Sequence, residues 1–193
     1  MVKKFKKKDS LTEQYISRLI QVIKTDKNKE INLLYNQILK TWKNKKTIYV
    51  CGNGGSAGNA NHIANDLIFA AGKKNKKGIK VESLASNPSI ITCLANDIGY
   101  ENIFSEQIRV KGAKGDLLIV LSGSGNSKNV IKAIKEAKKN KLDTFAILGF
   151  DGGMCKKIVK NYIHYEVNDM QISEDLQMIV LNICIQELMK QKF

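Results

Sequence analysis

Five short apolar runs set the fold of this chain: TIYVCG (47–52), IKVESLA (79–85), DLLIVLS (116–122), DTFAILG (143–149) and YIHYEV (162–167). They are rich in β-branched residues, and stretches of helical periodicity separate them at 56–70, 88–97, 101–111, 127–139, 152–160 and 173–190. Strands alternating with helices build βαβ units and hence a parallel sheet. Runs as uniformly apolar as Leu117–Leu121 suit strands buried on both faces. The expected product is an α/β fold, a three-layer αβα sandwich around five parallel strands. Pro88, the only proline, fits the first turn of a helix.

Two amphipathic helices precede the sheet. SLTEQYISRLIQVIKTD opens with Ser10 and Glu13 in capping-box spacing, and its apolar residues recur from Leu11 to Ile23 at helical intervals. NKEINLLYNQILKTWK repeats the pattern from Ile31 to Trp42. Residues 1–45 therefore read as a helical hairpin and 46–193 as the α/β core, together one domain. The apolar faces of the hairpin and of the last helix exceed what one sheet domain covers, so an oligomer is expected.

Composition narrows the partners. The 32 Lys+Arg exceed the 18 Asp+Glu, for a formal charge of +14. The lysines gather at 3–8, 43–46, 73–80 and 132–141 with few aromatics among them, so they read as a solvated surface rather than a base-stacking platform. No run reaches the ~18 apolar residues of a membrane helix. The basic N-terminus lacks the apolar segment of a secretory signal, so a cytoplasmic protein is expected. Cys51, Cys93, Cys155 and Cys184 form no CxxC pair and are expected reduced and packed in the core.

In an open parallel sheet, ligands bind beyond the carboxyl ends of the strands. Two such ends carry chemistry. CGNGGSAGN follows the run at 47–51: its glycines allow close backbone approach, and Ser56 stands where a helix begins. Its spacing is neither GxGxxG nor GxxxxGK[ST], so no nucleotide cofactor is expected. LSGSGNSKNV follows the run at 116–121 and offers Ser122, Gly123, Ser124, Asn126 and Ser127, again ahead of a helix. Uncharged donors at two helix starts suit a phosphate monoester, although Ser127 alone also reads as an ordinary N-cap.

With these loops, ANDIGYENIFSEQI and GFDGGM, the chain from about residue 10 onward resembles the sugar isomerase (SIS) domain of phosphoheptose isomerases. The resemblance implies a flavodoxin-like fold and a homotetramer with active sites between subunits. It implies conversion of sedoheptulose 7-phosphate to an aldoheptose 7-phosphate for lipopolysaccharide or capsule. By position, Ser56, Ser122, Ser124 and Ser127 would hold the phosphate, with Asn53, Gly54, Gly55, Asp97 and Gln177 completing the site.

The resemblance also exposes departures. The family carries His and, four residues on, a catalytic Glu; here they are His62 and Asp66, which share a helix face. Aspartate is a competent base on an arm one methylene shorter. In the last helix the family's pattern resembles Q-E-x-H-x4-H. One register sets Glu174 at the Gln, Gln177 at the first His and Asn182 at the last; a second places Ile185 at the catalytic position. Neither restores a histidine, and an amide exchanges no protons near pH 7. Asp66 as base and Glu174 as its partner are the catalytic candidates. Some members bind zinc, and the corresponding set here is His62, Asp66, Glu174 and Asn182, of harder, oxygen-rich character. Two functions follow: a sugar-phosphate isomerase, or a non-catalytic sugar-phosphate-binding regulator. One family relative binds the replication initiator DnaA and also lacks the final histidine.

Overall fold

The structure, a computed structural model, describes residues 10–69, 71–73 and 77–191. The lysine run at 3–8, residues 74–76 of the cluster at 73–80, and residue 70 of the third expected helix lie outside them. Two helices come first, α1 (Leu11–Ile23) and α2 (Asn28–Lys43). Ser10 and Glu13 close the expected capping box on α1. Then follow β1 (Ile48–Cys51), α3 (Gly55–Ile68), β2 (Val81–Ser83), α4 (Pro88–Ile98), a 3₁₀ turn (Tyr100–Asn102), α5 (Ser105–Lys111) and β3 (Leu117–Ser122). The chain continues through α6 (Lys128–Lys139), β4 (Asp143–Leu148), α7 (Gly153–Ile158), β5 (Asn161–His164) and α8 (Met170–Leu188).

The five strands are parallel, in the order β2-β1-β3-β4-β5. The chain leaves β1 toward one edge and returns to build outward from its other side. That reversal opens a crevice at the carboxyl ends of β1 and β3. At the other end the buried Asp116 carboxylate accepts the N–H groups of Thr47 and Ala113, both at 2.9 Å, tying the entries to β1 and β3.

The three central strands, β1, β3 and β4, bury both faces. Leu117, Ile119 and Leu121 pack with Ile48, Val50, Phe145 and Ile147 under α2, α3 and α8. Leu118 and Val120 pack with Tyr49, Ala146 and Leu148 under α5, α6 and α7. This is why the strands read as unbroken apolar runs. None of the described helices is long and apolar enough to cross a membrane.

Beyond shorter bounds for β2, β5 and α7, the structure departs from the sequence reading in three places. The expected helix at 101–111 divides into the 3₁₀ turn and α5, and the change of winding brings both Ile103 and Phe104 into the core. The last helix starts three residues early because Asp169 caps it, its carboxylate accepting the Ile172 N–H at 3.2 Å. Cys93 is not in the core: it is exposed on α4, while Cys51, Cys155 and Cys184 are buried. Burial pushes the Cys155 and Cys184 thiols up to about 12. The exposed Cys93 donates to Asp97 at 3.5 Å, and this bond with the aspartate's charge raises its pKa.

Thiol titration of the folded protein is therefore expected to count one reactive cysteine of four, and four after denaturation. Asp97→Asn lowers the Cys93 pKa and should speed its labelling at neutral pH, since the thiolate is the nucleophile.

Candidate active site

The loops that follow β1 and β3 face each other across the crevice. Asn53, Gly54, Gly55 and Ser56 from the first, with Ser122, Gly123, Ser124 and Ser127 from the second, line a pocket of about 260 Å³. Met170 and Glu174 of α8 close it. The sequence reading placed these eight loop residues and Glu174 in one site, and the fold brings them together.

Hydrogen bonding sets the direction of the serine hydroxyls. A hydroxyl has one proton to donate and two lone pairs to accept with. Ser56 Oγ accepts from Gln177 Nε2 at 3.0 Å, Ser122 Oγ from the Gly125 N–H at 3.0 Å, and Ser124 Oγ from the Asn126 N–H at 3.3 Å. Each proton is thus left to point elsewhere. Ser127 occupies the N-cap position of α6 but makes no side-chain capping bond. The ordinary N-cap role does not consume it. Four hydroxyls are left able to donate, at the N-termini of α3 and α6, where helix dipoles and free N–H groups favour an anion.

Polar side chains fix the loops from behind. Gln177 is buried, and Asn59 on α3 donates both to its Oε1 at 3.1 Å and to the Glu174 carbonyl at 3.0 Å. Asn53 and Asn129 pair amide to amide at 2.9 and 2.8 Å, and the Tyr100 hydroxyl donates to Asn53 at 3.1 Å. Asn59, Asn129 and Tyr100 are site residues that sequence reasoning missed. A buried asparagine on an otherwise apolar helix face was the available signal for Asn129; nothing marked Tyr100. Asn126 is outside the pocket lining, its side-chain Oδ1 accepting the Met154 N–H at 2.9 Å.

The Glu174 carboxylate lies directly against Gly55 at the head of α3: a Cβ there would collide with both carboxylate oxygens. Its negative charge is favourable at a helix N-terminus, yet it occupies the ground an incoming phosphate would use. His62 and Asp66 stand further along α3, outside the pocket lining, paired at 3.3 Å with exposures of 58% and 27%. Asn182 is exposed, two turns beyond Glu174 on α8, and Asp97 is exposed on α4. His62, Asp66, Glu174 and Asn182 do not converge: among the described residues no group of three or more His, Cys, Asp or Glu could hold a metal ion. The zinc set implied by the resemblance does not fit the side chains as placed in one chain.

An open parallel sheet in the order 2-1-3-4-5, with hydroxyl-bearing loops at its reversal point, defines a doubly wound α/β domain whose crevice lies between two helix ends. Residues 13–149 match the SIS domain family. The chain is 37% identical to the phosphoheptose isomerase of Helicobacter pylori strain Shi470 over 146 residues, 76% of either chain. It is 39% identical to that of Chlorobaculum parvum over 143 residues, 74% of this chain and 68% of the relative. Its structure superposes on a phosphoheptose isomerase from Neisseria gonorrhoeae with a TM-score of 0.83 at 26% identity, covering 93% of this chain and 99% of that one. The likeness to the Francisella tularensis enzyme, TM-score 0.86 at 21% identity over 94% and 95% of the two chains, bears on the fold. The chain belongs to the phosphoheptose isomerase family of SIS domains.

Two outcomes test this geometry. Gly125 sits at φ +65° against the Gly152 carbonyl oxygen, so Gly125→Ala should destabilise the protein by about 2 kcal/mol or more in denaturant unfolding. Glu174→Gln removes a like charge from the cradle and should tighten sugar-phosphate binding several-fold by calorimetry.

Proposed function

We propose that this protein is an aldose–ketose isomerase acting on a heptose phosphate, converting sedoheptulose 7-phosphate to an aldoheptose 7-phosphate for surface polysaccharide. The observation that carries the reading is the set of four serine hydroxyls, each with a proton to donate, around one pocket at two helix N-termini. Uncharged donors of this kind suit a phosphate monoester. The family membership supplies the reaction class.

The isomerisation moves a proton between adjacent carbons through an enediol. The phosphate is held at one end of an extended sugar, so the base must stand away from the loops. Asp66 does, nearly three helical turns beyond Ser56 on α3. Its carboxylate takes the proton from C1 of the ketose while the C2 oxygen gains one. Return of a proton to C2, with loss of the O1 proton, completes the aldose. His62, 3.3 Å from Asp66, orients that carboxylate. Glu174, the other carboxylate candidate, lies in the phosphate cradle rather than beside Asp66, so proton transfer at the C1 and C2 oxygens is not assigned to it. No step is assigned to a metal. Gln177, Asn53 and Asp97 are the proposed contacts to the sugar.

A homotetramer with its site between subunits belongs to this reading. Leu11 (85% exposed), Ile16, Ile20 and Ile23 leave an apolar stripe on α1, and Ile183 is exposed beside Asn182 on α8. A partner covering α8 would also enclose Asn182 and Glu174. Light scattering should give about four times the chain mass at micromolar concentration; a monomer would contradict a site shared between subunits.

One observation favours a second reading. Neither register of the last helix supplies a histidine, Asn182 standing at the position in one and Ile185 in the other, and a sugar-phosphate-binding regulator on the same scaffold needs no proton carrier there. Mutation separates the two. Ser124→Ala should weaken sugar-phosphate binding about tenfold, as expected for one lost hydrogen bond to a charged group. Asp66→Asn should retain binding and lose turnover by at least ~100-fold. Equal turnover in wild type and Asp66→Asn removes Asp66 as the base, and no wild-type turnover on any heptose, hexose or pentose phosphate leaves the regulator.

A further inference from the structure

The opposite end of the sheet, where the strands begin, carries a pocket that the isomerase reading does not use. α2 ends at Lys43 and the chain enters β1 at Ile48; residues 77–80 lead into β2 at Val81. Lys43, Lys45, Lys46, Lys77 and Lys80 meet there around a cavity of about 350 Å³, and the indole of Trp42, only 7% exposed, supplies its apolar wall. The volume lies in the range of ligand sites, ~300–1,000 Å³.

Among the described residues no acidic side chain lines this pocket. Some lysines elsewhere on the surface pair with carboxylates, Lys40 with Asp143 at 3.1 Å and Lys132 with Glu101 at 3.5 Å. Lys45, Lys46, Lys77 and Lys80 make no ion pair among the described residues. Lysines after a helix ordinarily complement its negative end, which accounts for Lys43 but not for Lys77 and Lys80, brought in by a separate segment. That segment is anchored: the Ile79 N–H donates to the Leu67 carbonyl at 3.2 Å, and Gly78 packs on the Ile68 carbonyl so closely that a Cβ would collide with it. Lys45 turns the chain at φ +56°, a position that favours glycine or asparagine after a helix. A lysine held there at some cost in strain adds its charge to the rim.

We propose that this pocket binds a polyphosphate group, the di- or triphosphate of a nucleotide or a free oligophosphate, at a site separate from the serine loops. Ammonium groups engage phosphates as point charges, and those of Lys45, Lys46, Lys77 and Lys80 together suit a multiply charged anion better than a single monoester.

Trp42 is the chain's only tryptophan, so its fluorescence reports on this pocket alone. The full-length protein is titrated with inorganic triphosphate, ATP and inorganic phosphate at fixed ionic strength. Saturable binding of triphosphate at one site per chain is expected, with a change in tryptophan emission and at least tenfold weaker binding of inorganic phosphate. Tighter binding of ATP than of triphosphate assigns the site to a nucleotide; equal binding assigns it to the phosphate chain. Lys46→Gln/Lys80→Gln should weaken triphosphate at least tenfold. Lys138→Gln/Lys139→Gln, which removes the same charge from α6, should leave it unchanged. Lys45→Gln/Lys77→Gln serves as a second pocket pair if the first misfolds. Equal losses in pocket and α6 variants, or titrations that never saturate, would show diffuse attraction to a basic surface and overturn the proposal. The readout is independent of isomerase turnover, so its failure leaves the sugar-phosphate site untouched.

Discussion

Everything at the proposed sugar-phosphate site depends on two helix N-termini held side by side. The sheet reverses its build order between β1 and β3, so the loops leaving those strands must turn toward the same crevice, each into a helix. Free N–H groups and dipole ends then face one small volume. The serines add protons without adding fixed charge. Their orientation comes from bonds they accept, from Gln177 and from the loop backbone, so the donors are set before any ligand arrives. Such preorganisation lowers the cost of binding.

The same arrangement explains the position of Glu174. A carboxylate facing a helix N-terminus is stabilised there, and α8 brings this one to the head of α3. The carboxylate and a phosphate compete for the same field. The proton-transfer end is less complete. Asp66 and His62 share a helix face, as their spacing requires, but Asn182 cannot carry protons, and on one chain it faces outward. The chemistry proposed for this site therefore rests on Asp66 and on whatever the neighbouring subunit encloses.

Much of this was legible in the sequence. Burial on both faces leaves an uninterrupted apolar run, so β1, β3 and β4 announced themselves. Capping chemistry fixed the start of α1, and the serine loops stood out because glycine and hydroxyl residues separated strand from helix. The misses have local causes. Cys93 reads as core by residue type, but α4 turns that face outward. Asn59, Asn129 and Tyr100 reach the site through contacts between segments far apart in the chain, Asn53 and Asn129 being 76 residues apart. The lysines at 43–46 and 77–80 read as a solvated surface because only the fold brings them around Trp42.

The central claim is that the cradle aims an extended sugar phosphate at Asp66 for enediol chemistry. Its most direct test is incubation with sedoheptulose 7-phosphate in D₂O, followed by proton NMR. Proton transfer through solvent-exchanging side chains predicts an aldoheptose 7-phosphate carrying deuterium at C2. Substrate that binds but shows neither conversion nor solvent deuterium at carbon would contradict the claim.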